Sequence, residues 1–194
     1  MRRRSWPVFP LLVLAALLAG CSSASGGPSA STSGAPAVVN TTQACPAQSD
    51  TAASGATTLP KLRFSCLGGG ALDLAKAPGV PTLVNLWGSW CTPCRDELPV
   101  LQQFARSAAG RVRVLGVVSK DGRPQAESFA ADAGVTFPSG FDGQGQLMAG
   151  VGINVLPYTY FLDASGAVTF TQVGPVGSVD QLRQLVATHL GVQQ

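Results

Sequence analysis

Histidine is almost missing from this 194-residue chain: His189 stands alone, in the last expected helix. A structural zinc site draws four ligands from two Cys pairs or a Cys/His set, and one histidine beside a single CxxC does not supply them. Copper delivery would need a histidine near the thiols, and His189 reads as a solvated residue at a helix end. A peroxidatic cysteine usually lacks a CxxC arrangement. Charge is also sparse, at 12%. The formal net charge of +3 comes from Arg2, Arg3 and Arg4; without them 10 basic residues face 10 acidic ones. No basic patch remains to argue for nucleic acid. Gly68-Gly69-Gly70 precedes no Gly-Lys-Ser/Thr and opens no helix, so it is a turn and not a phosphate cradle. No metal or organic cofactor is implied.

What is present begins with an export pattern. Three arginines lead into the apolar stretch Trp6 to Gly20, broken early by Pro7 and Pro10. That stretch is short for a membrane span, which takes roughly 20 apolar residues. It ends on Leu17-Leu18-Ala19-Gly20-Cys21. Small residues before a cysteine resemble a bacterial lipoprotein signal. The resemblance implies that Cys21 is diacylated and becomes the mature N-terminus; the alternative is an ordinary cleaved signal with an incidental cysteine. Acyl chains anchor by burying CH₂ groups, each worth about 0.8 kcal/mol. Residues 22–44 are uncharged and rich in Ser, Ala, Gly, Thr and Pro, a composition that forms a disordered tether and no core. The expected division is a signal over 1–20, a lipidated cysteine and tether over 21–44, and one domain over 45–194. The hydrophobic fraction of 45% permits a packed core there.

Along that domain, Lys61 to Leu67 and Ala71 to Leu74 read as a hairpin about the triple glycine. Pro81 to Trp87 is nearly all apolar, the mark of a strand buried on both faces, with Asn85 its one polar residue. Val100, Leu101, Phe104, Ala105 and Ala108 recur at helical spacing and predict a helix from Thr92 to Ala109, kinked at Pro99. Arg111 to Val118 predicts a strand, Arg123 to Ala133 a helix, Val135 to Phe141 a strand, and Gln144 to Val151 a short helix. Two strands, Tyr158 to Leu162 and Ala167 to Val173, flank the turn Asp163-Ala164-Ser165-Gly166. Val179 to Leu190 closes the chain as a helix capped by Ser178. Early strands alternating with helices imply parallel pairing and the late hairpin antiparallel pairing. The expected fold is α/β, with a mixed central sheet, helices on both faces and an N-terminal β-hairpin.

The chemistry lies in Trp87-Gly-Ser-Trp90-Cys91-Thr92-Pro93-Cys94-Arg95. A buried strand gives way to a helix here, so Cys91 meets the unpaired amides and dipole of a helix N-terminus, which favour a thiolate. Cys94 lies one turn on, within bonding reach: one sulfur attacks a target disulfide and the other resolves the mixed disulfide. Of the remaining cysteines, Cys45 and Cys66 form the expected disulfide of an exported domain, a free buried thiol being the alternative.

The stretch VNLWGSWCTPCRDELP, with Asn85, Trp87, Trp90, the CxxC, Glu97 and Pro99, and then GINVLPYTYFLDASG, resembles the membrane-tethered TlpA/ResA/DsbE-type thiol–disulfide oxidoreductases of the thioredoxin superfamily over roughly residues 59–190. The resemblance implies a thioredoxin-like fold, Cys91 as attacking thiol, Cys94 as resolving thiol, and Glu97 as the group that transfers protons and tunes the thiols. Glu97 is expected partly buried beside Trp90 and Pro157, a solvated helix glutamate being the alternative. It makes Pro157 a cis-proline beside the CxxC, and Trp90, Leu156 and Pro157 the substrate-binding residues. Leu156 departs from the small or β-branched residue usual there. The implied partners are client proteins with disulfides or thiols and a membrane redox partner that resets the CxxC, outside the cytoplasmic membrane. Similar proteins reduce apocytochrome c, and some oxidise secreted proteins. Thr-Pro between the cysteines, with no histidine, favours a reductase; an oxidase, or a non-enzymatic binding or metal-delivery module, is the alternative.

Overall fold

The computed structural model describes residues 39–193, except residue 109. The expected signal peptide, Cys21 and most of the expected tether fall outside them. Eleven elements follow in order: β1 (Arg63–Ser65), β2 (Ala71–Asp73), β3 (Thr82–Trp87), α1 (Thr92–Ala108), β4 (Arg113–Ser119), α2 (Arg123–Asp132), β5 (Ser139–Asp142), α3 (Gln146–Gly150), β6 (Tyr158–Leu162), β7 (Val168–Val173) and α4 (Val179–Leu190). A five-stranded sheet runs β5-β4-β3-β6-β7. Strands β3, β4 and β5 are parallel, β6 is antiparallel to β3, and β7 is antiparallel to β6. This is a thioredoxin-like α/β fold with a separate N-terminal hairpin.

The central strand β3 is buried along its whole length, and its alternating side chains divide the core. Leu83 and Trp87 face a cluster with Leu98, Leu101 and Phe104 of α1, Phe129 of α2 and Leu182 of α4. Val84 and Leu86 face the other, with Leu147 and Met148 of α3 and Phe64 and Leu72 of the hairpin. Period-2 alternation makes this division without further instruction. Asn85 shares the face of Leu83 and Trp87, so a polar amide sits in the α1 layer. The tight turn between β1 and β2 uses Gly69 and Gly70 at φ 98° and 73°, backbone that a Cβ disfavours.

Two expectations change. Residues 40–44, read from composition as the end of the tether, are bound to the domain: the Asn40 amide donates to Leu67 O, Thr41 Oγ1 to Val135 O at 2.8 Å, and Gln43 N to Thr136 O at 2.9 Å. Composition registers a missing core but not hydrogen bonds to the backbone of distant loops. His189, read as solvated, is half-buried and stacks on Phe170 with centroids 3.8 Å apart. Cys45 and Cys66 are joined, Cα atoms 6.0 Å apart, tying residues 40–45 to the hairpin. An isolated bridge from Cys66 to Gly140 carries that hairpin to the edge of β5. Among the described residues no helix is long and apolar enough to cross a membrane.

Candidate active site

Strand β3 ends at Trp87 and α1 starts at Thr92, so Gly88 to Cys91 must turn the chain within four residues. That turn places Cys91 just before the first helical residue, and Cys91 and Cys94 are disulfide-bonded, Cα atoms 5.3 Å apart. The Cys94 amide points at Cys91 Sγ from 3.2 Å. In the reduced form the same N–H, with the helix dipole behind it, favours a thiolate on Cys91 over one on Cys94. Cys91 is 4% exposed and Cys94 fully buried, so of the two only Cys91 touches solvent. Thr92 and Pro93 between them are exposed.

One turn beyond Cys94, Glu97 is completely buried, deeper than the partly buried position expected of it. Its carboxylate is held by groups from two other segments. Glu97 Oε2 accepts from Asn85 Nδ2 at 2.8 Å, and Oε1 accepts from the Val176 amide at 3.0 Å. Burial pushes its pKa from 4.5 up to about 7, against the opposing pull of the hydrogen bonds from Val176 and Asn85. A carboxyl that changes charge near neutrality, one helical turn from a buried thiol, is suited to taking and returning protons. Asn85 Nδ2 also donates to Thr159 Oγ1 at 3.0 Å, while Asn85 Oδ1 has no partner among the described residues.

Leu156–Pro157 is a cis peptide. The register Leu86↔Tyr158 sets Pro157 at the end of β3 from which the CxxC turn departs. Pro157 is buried; Leu156 is half-buried and packs against both core clusters. Trp90 is 52% exposed, with Nε1 donating to Lys120 O at 2.9 Å. The fold thus brings Trp90, Cys91, Cys94 and the Leu156–Pro157 bond to one end of the sheet, with Glu97 beneath in the core. Cys45 and Cys66 belong to the other core cluster and the β5 edge. Among the described residues no cluster of three His, Cys, Asp or Glu is arranged to hold a metal.

The redoxin family matches residues 53–186. The chain belongs to the redoxin family. Two similar proteins are the thiol:disulfide interchange protein CycY of Rhizobium leguminosarum bv. viciae, 34% identical over 60% of this chain and 62% of that one, and the thiol:disulfide interchange protein DsbE of Vibrio cholerae, 33% identical over 62% of this chain and 66% of that one. The chain spans less than two thirds of the length of either. A solved structure of a secreted Mycobacterium tuberculosis disulfide oxidoreductase homologous to E. coli DsbE superposes with a TM-score of 0.58 at 25% identity, over 66% of this chain and 96% of that one.

Within this redoxin, three residues of the site escaped sequence reasoning. Thr159 had a signal: it is a polar residue in an apolar strand, as Asn85 is, and the two are register partners. The Val176 amide had none, because any residue carries an N–H. Asp121 had none either; its carboxylate grips Ser89 in the CxxC turn through the amide at 2.6 Å and the hydroxyl at 3.0 Å.

Proposed function

We propose that this redoxin is an extracytoplasmic protein thiol–disulfide oxidoreductase, held at the outer face of the cell membrane by lipid on Cys21, that uses Cys91 and Cys94 to reduce disulfides in client proteins. The Cys91 thiolate attacks one sulfur of a client disulfide, forming a mixed disulfide and releasing a client thiolate. Cys94, losing its proton, attacks Cys91 Sγ, closes the Cys91–Cys94 disulfide and releases the second client thiolate. Two electrons pass from the dithiol to the client. Glu97 takes the Cys94 proton on Oε1 or Oε2 and returns it when a membrane redox partner restores the dithiol. Trp90, Leu156 and Pro157 form the surface that meets the client.

The observation that carries this reading is the buried Glu97 behind a CxxC whose Cys91 sulfur receives the Cys94 amide. Proton-handling chemistry has no purpose in a module that only binds. The relatives' names as interchange proteins support exchange, and the secreted description of the mycobacterial relative supports a place outside the cytoplasm. The reducing direction rests on Thr92-Pro93, which offers no cation to hold the Cys91 thiolate. Equilibration with glutathione tests it. The expected Cys91/Cys94 potential is more reducing than about −200 mV, with catalysed insulin reduction; a potential near that of strong oxidants, about −120 mV, would make the protein an oxidase instead.

A further inference from the structure

Trp90 is held more firmly than its exposure requires. The β4–α2 loop, Lys120 to Gly122, grips the CxxC turn at three points. Lys120 O accepts from Trp90 Nε1 at 2.9 Å. Asp121 Oδ2 accepts from the Ser89 amide at 2.6 Å and Oδ1 from the Ser89 hydroxyl at 3.0 Å. Asp121 Oδ1 also accepts from the Gly122 amide at 2.8 Å, which fixes the carboxylate's own orientation. Lys120 is the only non-glycine among the described residues with positive φ, at 52°, a conformation a side chain disfavours. That conformation aims its carbonyl back at the indole.

Both sides of the loop are fitted to this arrangement. The indole lies so close over Gly88 that a Cβ there would come within 2.7 Å of Trp90 Nε1 and 3.2 Å of Ser119 O. On the far side the Lys120 methylenes cover Gly145, where a Cβ would meet Lys120 Cγ at 2.6 Å. The Lys120 amide donates to Asp142 O at 3.1 Å, tying the loop to β5. Fold stability alone does not account for these contacts: the ring remains 52% exposed, and water would satisfy an exposed indole N–H nearly as well. A fixed exposed ring does have value in recognition, because an aromatic already in its bound rotamer forfeits less freedom when a partner covers it.

We propose that Asp121 and Lys120 are positioning residues that hold Trp90 in one orientation beside Cys91, as a preorganised contact for client polypeptides. This rests on the reading of Trp90 as a client contact. Asp121 sets the turn through Ser89, Lys120 sets the ring, and neither touches the reacting sulfurs. A small disulfide, which reaches Cys91 without spanning the indole, gains nothing from the arrangement; a polypeptide does.

The full chain is tested as D121A, D121N and K120G. The D121N side chain keeps an oxygen acceptor for the Ser89 amide but sets its NH2 against the Gly122 amide, and the glycine of K120G adopts positive φ freely. Insulin disulfide serves as the polypeptide probe and 5,5′-dithiobis(2-nitrobenzoate) as the small one. For D121A the insulin KM should rise about three- to tenfold, a loss of the size a displaced contact gives, with kcat and the small-disulfide rate little changed. K120G should keep a KM near that of the wild type, and D121N should fall between wild type and D121A. A second arm needs no client: the Trp90 emission, obtained by difference from W90F, should show lower anisotropy and faster acrylamide quenching in D121A. Unchanged Trp90 emission in D121A would overturn the positioning. Emission that responds while the insulin KM does not would overturn the docking role and the reading of Trp90 beneath it. Equal loss towards both disulfides, or D121N as impaired as D121A, would assign Asp121 to general folding or to charge, against the proposal.

Discussion

Replacing Glu97 by Gln removes one ionisable group from a fully buried site, and the consequence for stability follows from its pKa. The folded-state value stands at about 7 against an ordinary 4.5, with burial the main cause. Between these values the folded protein holds a proton that the unfolded chain has released. Stability from this group is therefore complete below about pH 4.5 and is lost as pH rises through about 7. The gap of about 2.5 pH units corresponds to roughly 3 kcal/mol. Wild-type protein, with Cys91–Cys94 kept oxidised, should lose about that much stability between pH 4.5 and 8 beyond what E97Q loses. The substitution has a local cost of about 1 kcal/mol at low pH, since a Gln amide facing Asn85 Nδ2 sets donor against donor. Rotating the Asn85 amide by 180° would give Asn85 Oδ1 the Gln donor, but it turns Nδ2 away from Thr159 Oγ1, so part of the cost stays. E97Q should thus be slightly less stable than wild type at pH 4.5 and more stable at pH 8. In the reduced form, loss of the nearby charge should lower the pH at which Cys91 becomes alkylable, and insulin reduction should slow because no group takes the Cys94 proton. Guanidinium unfolding at several pH values, with iodoacetamide rates over the same range, measures both. Parallel pH profiles for the two proteins would refute a buried, titrating Glu97.

Brief iodoacetamide treatment of the reduced protein should label Cys91 before Cys94, and Cys94→Ser but not Cys91→Ser should accumulate a mixed disulfide with a client, as mass mapping will show. Cys45→Ser combined with Cys66→Ser should lower unfolding stability by about 3 kcal/mol on a loop-closure estimate for a sequence separation of 21 while CxxC exchange continues; mild reduction of the wild type should open Cys91–Cys94 first, and peptide mapping that finds Cys45 free would contradict this. Asn85→Ala takes a donor from the Glu97 carboxylate, so the carboxyl should titrate higher still, read from its infrared C=O band; a downward shift would be the wrong sign. Gly116→Ala should destabilise by about 1–3 kcal/mol through overpacking, because its Cβ would fall on Ser139 Oγ and within 2.6 Å of Trp87 Nε1; calorimetry decides.

Local sequence was enough for most of the elements and for the reacting pair. The bounds of β6 and α4 coincide with their expected ranges, since a turn built on Asp163 to Gly166 and an N-cap at Ser178 are local chemistry, read within a few residues. The shorter β1 and β5 were overextended, because strand ends are set by available partners: β1 forms its ladder with β2, and β5 forms its ladder with β4. The CxxC was legible because its function requires only a strand, a turn and a helix start in succession. The environment of those thiols is a product of tertiary packing. Glu97, Asn85, Thr159 and the Val176 amide come from four separate segments, and only the register of β3 against β6 and the packing of α1 over the sheet make them one hydrogen-bonded group. The depth of Glu97 follows from that packing, and so does its proton affinity. Likewise Asp121 and Lys120 are an ordinary loop pair in sequence, about 30 residues from the turn they grip. A periodicity places a side chain on a face; the distance to what lies opposite depends on how distant segments close on one another.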